Sequence, residues 1–560
     1  NFFIILSIQL FLLIGINLAS LTSESMVCKY HEFRPITDPR EPEGCANLIP
    51  VIGWLERCIL SIFLVFFMSM LPLTVYELSE RGLYKSIARI GKHMSSMSPL
   101  FEIFVCKIYS QSLVRDISIG GAQYIATGRG FATRRESFAD LYSRFGNESL
   151  TFGAFLFLMV VYFSTSMWKP VFSFFWIIVI GLIVSPFIFN PNQFVWHEYF
   201  ADYMNFMKWI HSGNGGNADE KSWHSYTKLG RSRYTGIKTN MICEVIGKKQ
   251  SNQVRPSRFN IITTVIFPQV LIMFFILTAF LFANSQNEAA SEKPSFALAR
   301  ILFVAMLPIA FNMVLMVITF FTSLCLGPLM TSIMKSYPSI VAAVAHSMST
   351  GVHVLSVILL FLFQNLDLEQ TILGFCLMTM IQKVVLQCTN AIFLSREVMD
   401  GRSNTAWWSG KWLRASLGWR TLSQPMREYF CKVTEQSYFA ADFVIGHMIF
   451  YSQIPVLLIP LANTFHSMML MWLKPGNQLR LHYYSKKERR KRIWAIYWLT
   501  MLFLAAAAIL TAVIVVPVIC IVNNWLDLAS YYPPFFLDMM QPEPYKLVVT
   551  GLRKELFLGS

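Results

Sequence analysis

The chain has 560 residues, of which 54% are hydrophobic, 15% aromatic and only 14% charged. Soluble domains carry about 25% charged residues, and disordered chains need low hydrophobicity, so both classes are excluded and a polytopic membrane protein remains. The excess of 47 Lys and Arg over 32 Asp and Glu, a formal +15, would suit a polyanion until the positions of the charges are considered.

About 20 apolar residues at 1.5 Å each cross the hydrocarbon layer. On that measure residues 2–19, 58–76, 150–167, 171–189 and 261–283 read as the first five spans. Residues 301–326, 340–363, 371–394 and 493–522 read the same way. The longer apolar stretch 438–473 is broken by Pro455 and Pro460, so it reads as one span plus a short returning helix, or as a re-entrant hairpin. The expected fold is all-α, with about ten transmembrane helices, a half helix and cytosolic interfacial helices. The chain opens at Asn1 inside an apolar run without an initiator methionine, and the expectation is the tail of a longer polypeptide.

Lys and Arg concentrate in cytoplasmic loops, and here they alternate. Residues 77–149 and 190–260 each hold ten, 395–435 holds seven, and KKERRKR precedes the last span. The loops between are short or acidic, so a cytosolic N-terminus and an outward C-terminal tail satisfy the pattern. The expected organisation is a helix pair with an outward loop (1–76), cytosolic interfacial helices (77–149) and a transmembrane hairpin (150–189). A basic cytosolic loop (190–260), four spans (261–394) and a second basic loop (395–437) follow, then the broken membrane segment (438–522) and the tail (523–560). The positive charge is therefore mostly topological, and nucleic acid is not an expected partner.

Cys28 and Cys45 share the outward loop, where they either close a disulfide or stay two thiols. No Cys/His cluster has metal-site spacing, so no metal is expected. Phosphate-loop, dinucleotide, nucleophile-elbow and zinc-protease motifs are missing from the sequence. The nearest paired carboxylates, Asp367 and Glu369, fall in an outward turn. The segment GRSRYTGIK at 230–238 has only a faint phosphate-loop look and reads as a basic loop. Residues 77–97 form a basic amphipathic helix suited to an anionic lipid surface or to packing on other cytosolic parts, and a more apolar helix follows at 98–114.

Ionisable groups inside spans are costly and often functional. His346 and His353 share one face of the seventh span, Lys383 lies within the eighth, and Asp442 and His447 open the ninth. They read either as a polar path for a hydrophilic substrate or as interhelical hydrogen-bonding groups.

Residues 123–145 (QYIATGRGFATRRESFADLYSRF) resemble the corresponding segment of fungal 1,3-β-glucan synthase catalytic subunits. The likeness continues in FNPNQFVW (189–196), TAWWSGKW (405–412), QPMREYFC (424–431) and FHSMMLMWLKP (465–475), with plant callose synthases as more distant relatives. The resemblance implies a processive glycosyltransferase that extends β-1,3-glucan from UDP-glucose and exports it. The implied partners are a Rho-type GTPase, the growing glucan and membrane lipid, and the implied location is the plasma membrane or a spore-forming membrane. It implies that this chain is the second membrane block, without catalytic residues, cofactor or activity of its own. The transferase domain, with its UDP-glucose and any divalent cation, would lie upstream. Arg129, Arg134, Arg135 and Arg144 would face nucleotide phosphate or dock that domain. Trp54, Arg57 and Leu60 match the family segment tied to echinocandin resistance, whereas Gly53, Glu56, Cys58 and Ile59 depart from it, as in a divergent paralogue. A stand-alone transporter or channel, and a non-catalytic scaffold for wall synthesis, are the alternatives.

Overall fold

The computed structural model describes residues 2–22, 100–109, 135–166, 173–211, 257–287, 294–364, 368–394 and 402–473, together with isolated positions within 54–97, 223–234 and 494–505. The described elements are helical. α1 (Phe2–Thr22) stands apart in sequence from α2 (Phe138–Phe145), which passes through one π turn at Gly146–Leu150 into α3 (Thr151–Ser166). α4 (Ser173–Ile188) and α5 (Trp196–His211) follow. Next come α6 (Phe267–Asn287), α7 (Pro294–Ile333), α8 (Tyr337–Phe363) and α9 (Leu368–Phe393). The short α10 (Arg402–Ser409) precedes α11 (Gln424–Tyr451), α12 (Ile454–Leu458) and α13 (Ala462–Leu473).

Five helical segments are long and apolar enough to cross a membrane: Arg258–Ala283, Ala297–Ile333, Tyr337–Phe363, Leu368–Phe393 and Gln424–Leu458. Three expected spans are represented by shorter apolar helices, Ile8–Ser20, Thr151–Thr165 and Ser173–Ile188. The expected spans 58–76 and 493–522 lie outside the described residues apart from scattered helical positions. The count at full span length is therefore five among the described residues, against about ten expected. The break expected in 438–473 is present. α11 ends at Tyr451, Pro455 opens α12, and Pro460 with Leu461 at φ +65° separates α12 from α13. α11 begins at Gln424, well inside the segment read as a basic loop.

α7 is 40 residues long and holds Pro308 and Pro328 in its interior. A buried proline inside a helix is tolerated where neighbouring groups meet the freed carbonyls. The Gln382 amide of α9 reaches the Ala305 carbonyl at 3.4 Å, one residue past the carbonyl that Pro308 leaves without its amide. α7 packs along α8, α11 and α10, while α9 lies between α11 and α6, and α1 packs on α6 and α3.

The sidedness of these helices is the reverse of a soluble bundle. Phe274, Phe303, Val314, Phe321, Leu329 and Leu362 point outward and are exposed, whereas Asn312, His346, Ser349, His353, Gln382 and Gln436 are buried inside. Lipid accepts an apolar exterior, and polar side chains then face the bundle interior. The interior is also aromatic where α2 and α5 meet α11. Phe138, Tyr142, Phe206 and Phe450 interlock there at ring separations between 4.9 and 5.9 Å. Gly446 of α11 makes this approach possible, since a Cβ there would lie 3.1 Å from Phe206 and 3.2 Å from Tyr142.

Candidate functional site

α8 places His346, Ser349, His353 and Ser356 on one face, at steps of three and four residues, and all four are fully buried. Opposite them stand Asn312 of α7 and the Gln436–Ser437 pair of α11. The Asn312 amide donates to Ser349 Oγ at 3.0 Å and to Ser437 Oγ at 2.8 Å, which joins three helices through one side chain. The Gln436 amide nitrogen meets His346 Nδ1. An amide nitrogen only donates, so Nδ1 is the acceptor of this contact. The His346 ring packs 4.1 Å from that of Trp223 and 5.0 Å from that of Phe439.

Several polar atoms along this seam have no hydrogen-bonding partner among the described residues. They are Asn312 Oδ1, Gln436 Oε1, Gln382 Oε1 and both ring nitrogens of His353. Leaving a buried polar atom unmet costs about 1–3 kcal/mol, so these atoms are the costly positions of the bundle interior.

Toward the other end of α11, the fully buried Asp442 carboxylate collects three hydroxyl donors. Thr151 Oγ1 and Tyr142 Oη reach Oδ1 at 2.8 and 2.9 Å, and Tyr226 Oη reaches Oδ2 at 2.8 Å. Burial, reinforced by the Asp442 charge, holds the Tyr142 phenol well above its ordinary pKa, so it remains a proton donor. Of the sequence-derived residues, Asp442 thus anchors one node, Lys383 is half-buried on α9, and His346 and His353 share the buried face of α8. His447 does not join them. Its Nδ1 bonds the Phe443 carbonyl at 3.0 Å, and its ring packs among Phe443, Phe206 and Tyr203.

On the N-terminal side of the seam along α11 lies a buried ion cluster. Arg231 pairs with Glu428 at 2.8 Å and with Glu435, and Lys432 pairs with Glu435 at 3.1 Å. The Lys432 ammonium also sits 5.3 and 5.6 Å from the ring centres of Trp223 and Trp408. Two cations and two anions balance. Arg231, from the GRSRYTGIK segment, is engaged by these carboxylates.

The conspicuous motifs also meet in space. Asn190, in FNPNQFVW, clamps the backbone of Glu136 from both sides, accepting its N–H at 2.9 Å and donating to its carbonyl at 2.8 Å. Gln193 of the same motif donates to Gln453 at 2.9 Å, at the junction of α11 and α12. Arg135 pairs with Glu198 at 3.2 Å and Asp202 at 2.7 Å on α5. Burial pushes the Asp202 carboxyl above its ordinary pKa while Arg135 pulls it back. Arg144 is exposed, with its guanidinium 5.9 Å from the Phe145 ring centre. Arg129 and Arg134 lie outside the described residues, as do Leu60, Cys28 and Cys45. Trp54 is half exposed and packs 6.1 Å from Phe11, Arg57 is exposed, and Leu55 and Ile59 are buried.

Among the described residues no group of three or more His, Cys, Asp or Glu side chains is placed to hold a metal ion. Asn312, Gln436, Tyr226 and the ion cluster were not singled out from the sequence. A lone Asn or Gln in an apolar run was the only available signal.

A family model described as 1,3-beta-glucan synthase component matches residues 1–330. The component FKS1 of Aspergillus niger is 39% identical over 512 residues, covering 90% of this chain and 27% of the relative. The component bgs2 of Schizosaccharomyces pombe is 39% identical over 550 residues, covering 97% of this chain and 29% of the relative. Callose synthase 12 of Arabidopsis thaliana is 29% identical over 187 residues, which covers 31% of this chain and 10% of the relative. The chain thus spans little more than a quarter of the length of the fungal relatives it matches.

Proposed function

The chain belongs to the 1,3-beta-glucan synthase component family, and from that premise we propose that it is the membrane block of a cell-wall glucan synthase. In this reading the whole protein transfers glucose from UDP-glucose to a growing β-1,3-glucan. Glucosyl transfer belongs to the portion of the relatives that this chain does not cover, and the chain alone is inactive. The helices α7, α8, α9 and α11 offer the polymer its way through the bilayer. The 123–145 segment and its neighbours form the docking face for the transferase domain, a Rho-type GTPase regulates the whole, and the site of action is the plasma membrane or a spore-forming membrane.

The observation that carries this reading is the row of buried, unmet polar atoms on Asn312, His353, Gln382 and Gln436 inside an otherwise apolar bundle. A sugar polymer presents hydroxyl groups that both donate and accept, which matches a mixed row of carbonyl and imidazole atoms. The test is glucan synthesis from UDP-glucose by the full-length protein carrying Asn312→Leu with His353→Leu. The proposal expects polymer output to fall with protein amount unchanged. Undiminished output would remove the seam from the polymer's way.

A further inference from the structure

The segment between α10 and α11 carries a surface that the polymer reading does not use. Trp407, Trp408 and Trp412 turn inward and are buried, while Leu413, Trp419 and Leu422 turn outward at 91%, 80% and 90% exposure. Met426 continues the apolar patch into the first turn of α11. The backbone that leads into this outward display fits closely against α7. Gly410 adopts φ +68° against the Ser323 carbonyl of α7, where a Cβ would collide. Two single turns of 3₁₀ helix follow at Leu413–Ala415 and Gly418–Thr421. The Ala415 amide bonds the Trp412 carbonyl at 3.1 Å, and Thr421 Oγ1 bonds the Gly418 carbonyl at 2.8 Å.

Charge accompanies the apolar side chains. Residues 401–427 contain Arg402, Lys411, Arg414, Arg420 and Arg427 and no Asp or Glu. The Arg420 guanidinium lies 5.6 Å from the Trp419 ring centre, and Arg414 and Arg427 are exposed. Their position in the chain adds the third element. The segment joins the candidate spans Leu368–Phe393 and Gln424–Leu458, and it is pinned to the last turns of a third, Ala297–Ile333. Beside it the outer face of α7 continues as exposed Leu326, Leu329 and Ile333.

We propose that residues 411–427 form an anionic-lipid site, with Trp419, Leu413 and Leu422 entering the headgroup layer and Arg414 and Arg427 meeting lipid phosphates. Trp favours the membrane–water boundary, long basic side chains lay their stems along apolar surface while the charge reaches outward, and a leaflet rich in phosphatidylserine attracts juxtamembrane arginine. Lipid suits the patch better than a protein partner because it runs on from the lipid-facing side of α7. The inference is independent of the polymer reading, since it requires only that the flanking helices cross a membrane.

The test uses the full-length protein in nanodiscs of phosphatidylcholine, with and without phosphatidylserine, and reads hydrogen–deuterium exchange over 411–427. Each arginine near an anionic surface is worth about a fivefold preference, so phosphatidylserine should slow exchange there by roughly 10- to 100-fold at low salt, and added salt should reverse the effect. Arg414→Gln with Arg427→Gln should erase most of that increment while leaving the phosphatidylcholine value unchanged. Equal exchange in the two nanodiscs would overturn the proposal whatever the variants do. As a second readout, benzoylphenylalanine in place of Trp419 should photocrosslink to lipid in native membranes. Crosslinking to a protein band instead would overturn the lipid assignment.

Discussion

The Tyr142 hydroxyl lies 2.9 Å from the Asp442 carboxylate and 2.8 Å from the Asp442 backbone carbonyl, across 300 positions of sequence. One phenolic proton is shared between two acceptors of the same residue. Tyr142 lies near the end of the segment that opens with QYIATGRG, and Asp442 lies on a membrane helix whose other face carries the polar seam. This contact ties the segment to the bundle through a carboxyl group that is otherwise costly to bury.

Replacing Tyr142 by Phe removes one donor to a buried carboxylate. Leaving a buried polar group without its partner costs about 1–3 kcal/mol, and we expect a loss in that range in unfolding of the detergent-solubilised protein. Tyr226→Phe should cost a similar amount, and the double variant should depart from additivity because both serve one carboxylate. Additive losses would mean that Asp442 does not couple them.

Arg231→Met leaves Glu428 and Glu435 with only Lys432 as a cation. Breaking a buried ion pair from one side costs about 3–5 kcal/mol. Adding Glu428→Gln should recover a large part of the loss by removing the stranded charge. Thermal unfolding of the single and double variants measures both effects, and a double variant less stable than the single would contradict this cluster.

Gly446→Ala places a methyl against Phe206 and Tyr142 at 3.1–3.2 Å. Overpacking of this kind costs about 1–3 kcal/mol, so the variant should be less stable and should show faster exchange in α2 and α5. Gly230, where nothing lies within 4 Å of an added Cβ, is the control, and its Ala variant should behave as the unchanged protein.

Arg135→Gln leaves the buried Asp202 carboxylate without its guanidinium. We expect looser attachment of α2 to α5, seen as faster exchange over 135–142, and lower glucan synthesis by the full-length protein with membrane insertion intact. Unchanged exchange would mean that the Asn190 clamp on Glu136 suffices alone.

The helices were legible where apolar runs were long and uninterrupted, as at 261–283, 301–326, 340–363 and 371–394. α11 was cut short in the sequence reading because Lys432, Glu428 and Glu435 look like a solvated loop. Their charges cancel only against Arg231, some 200 residues earlier. The face shared by His346 and His353 was visible from their spacing. Asn312, Gln436 and Tyr226 were not, because each acquires its role from a partner on another helix. The link between the 123–145 and 189–196 motifs was equally hidden, since the Asn190 clamp acts on the backbone of Glu136 and selects no side chain there.

The central claim is that the seam handles polymer and not nucleotide. Its most direct test reconstitutes the full-length protein in liposomes, supplies radiolabelled UDP-glucose, and follows UDP release, glucan chain length and the side of the bilayer on which glucan accumulates. With Asn312→Leu and His353→Leu the account predicts shorter chains and less glucan across the bilayer, while initial UDP release per protein is retained. Variants that lose UDP release from the first turnover, or that transport chains of unchanged length, would contradict it.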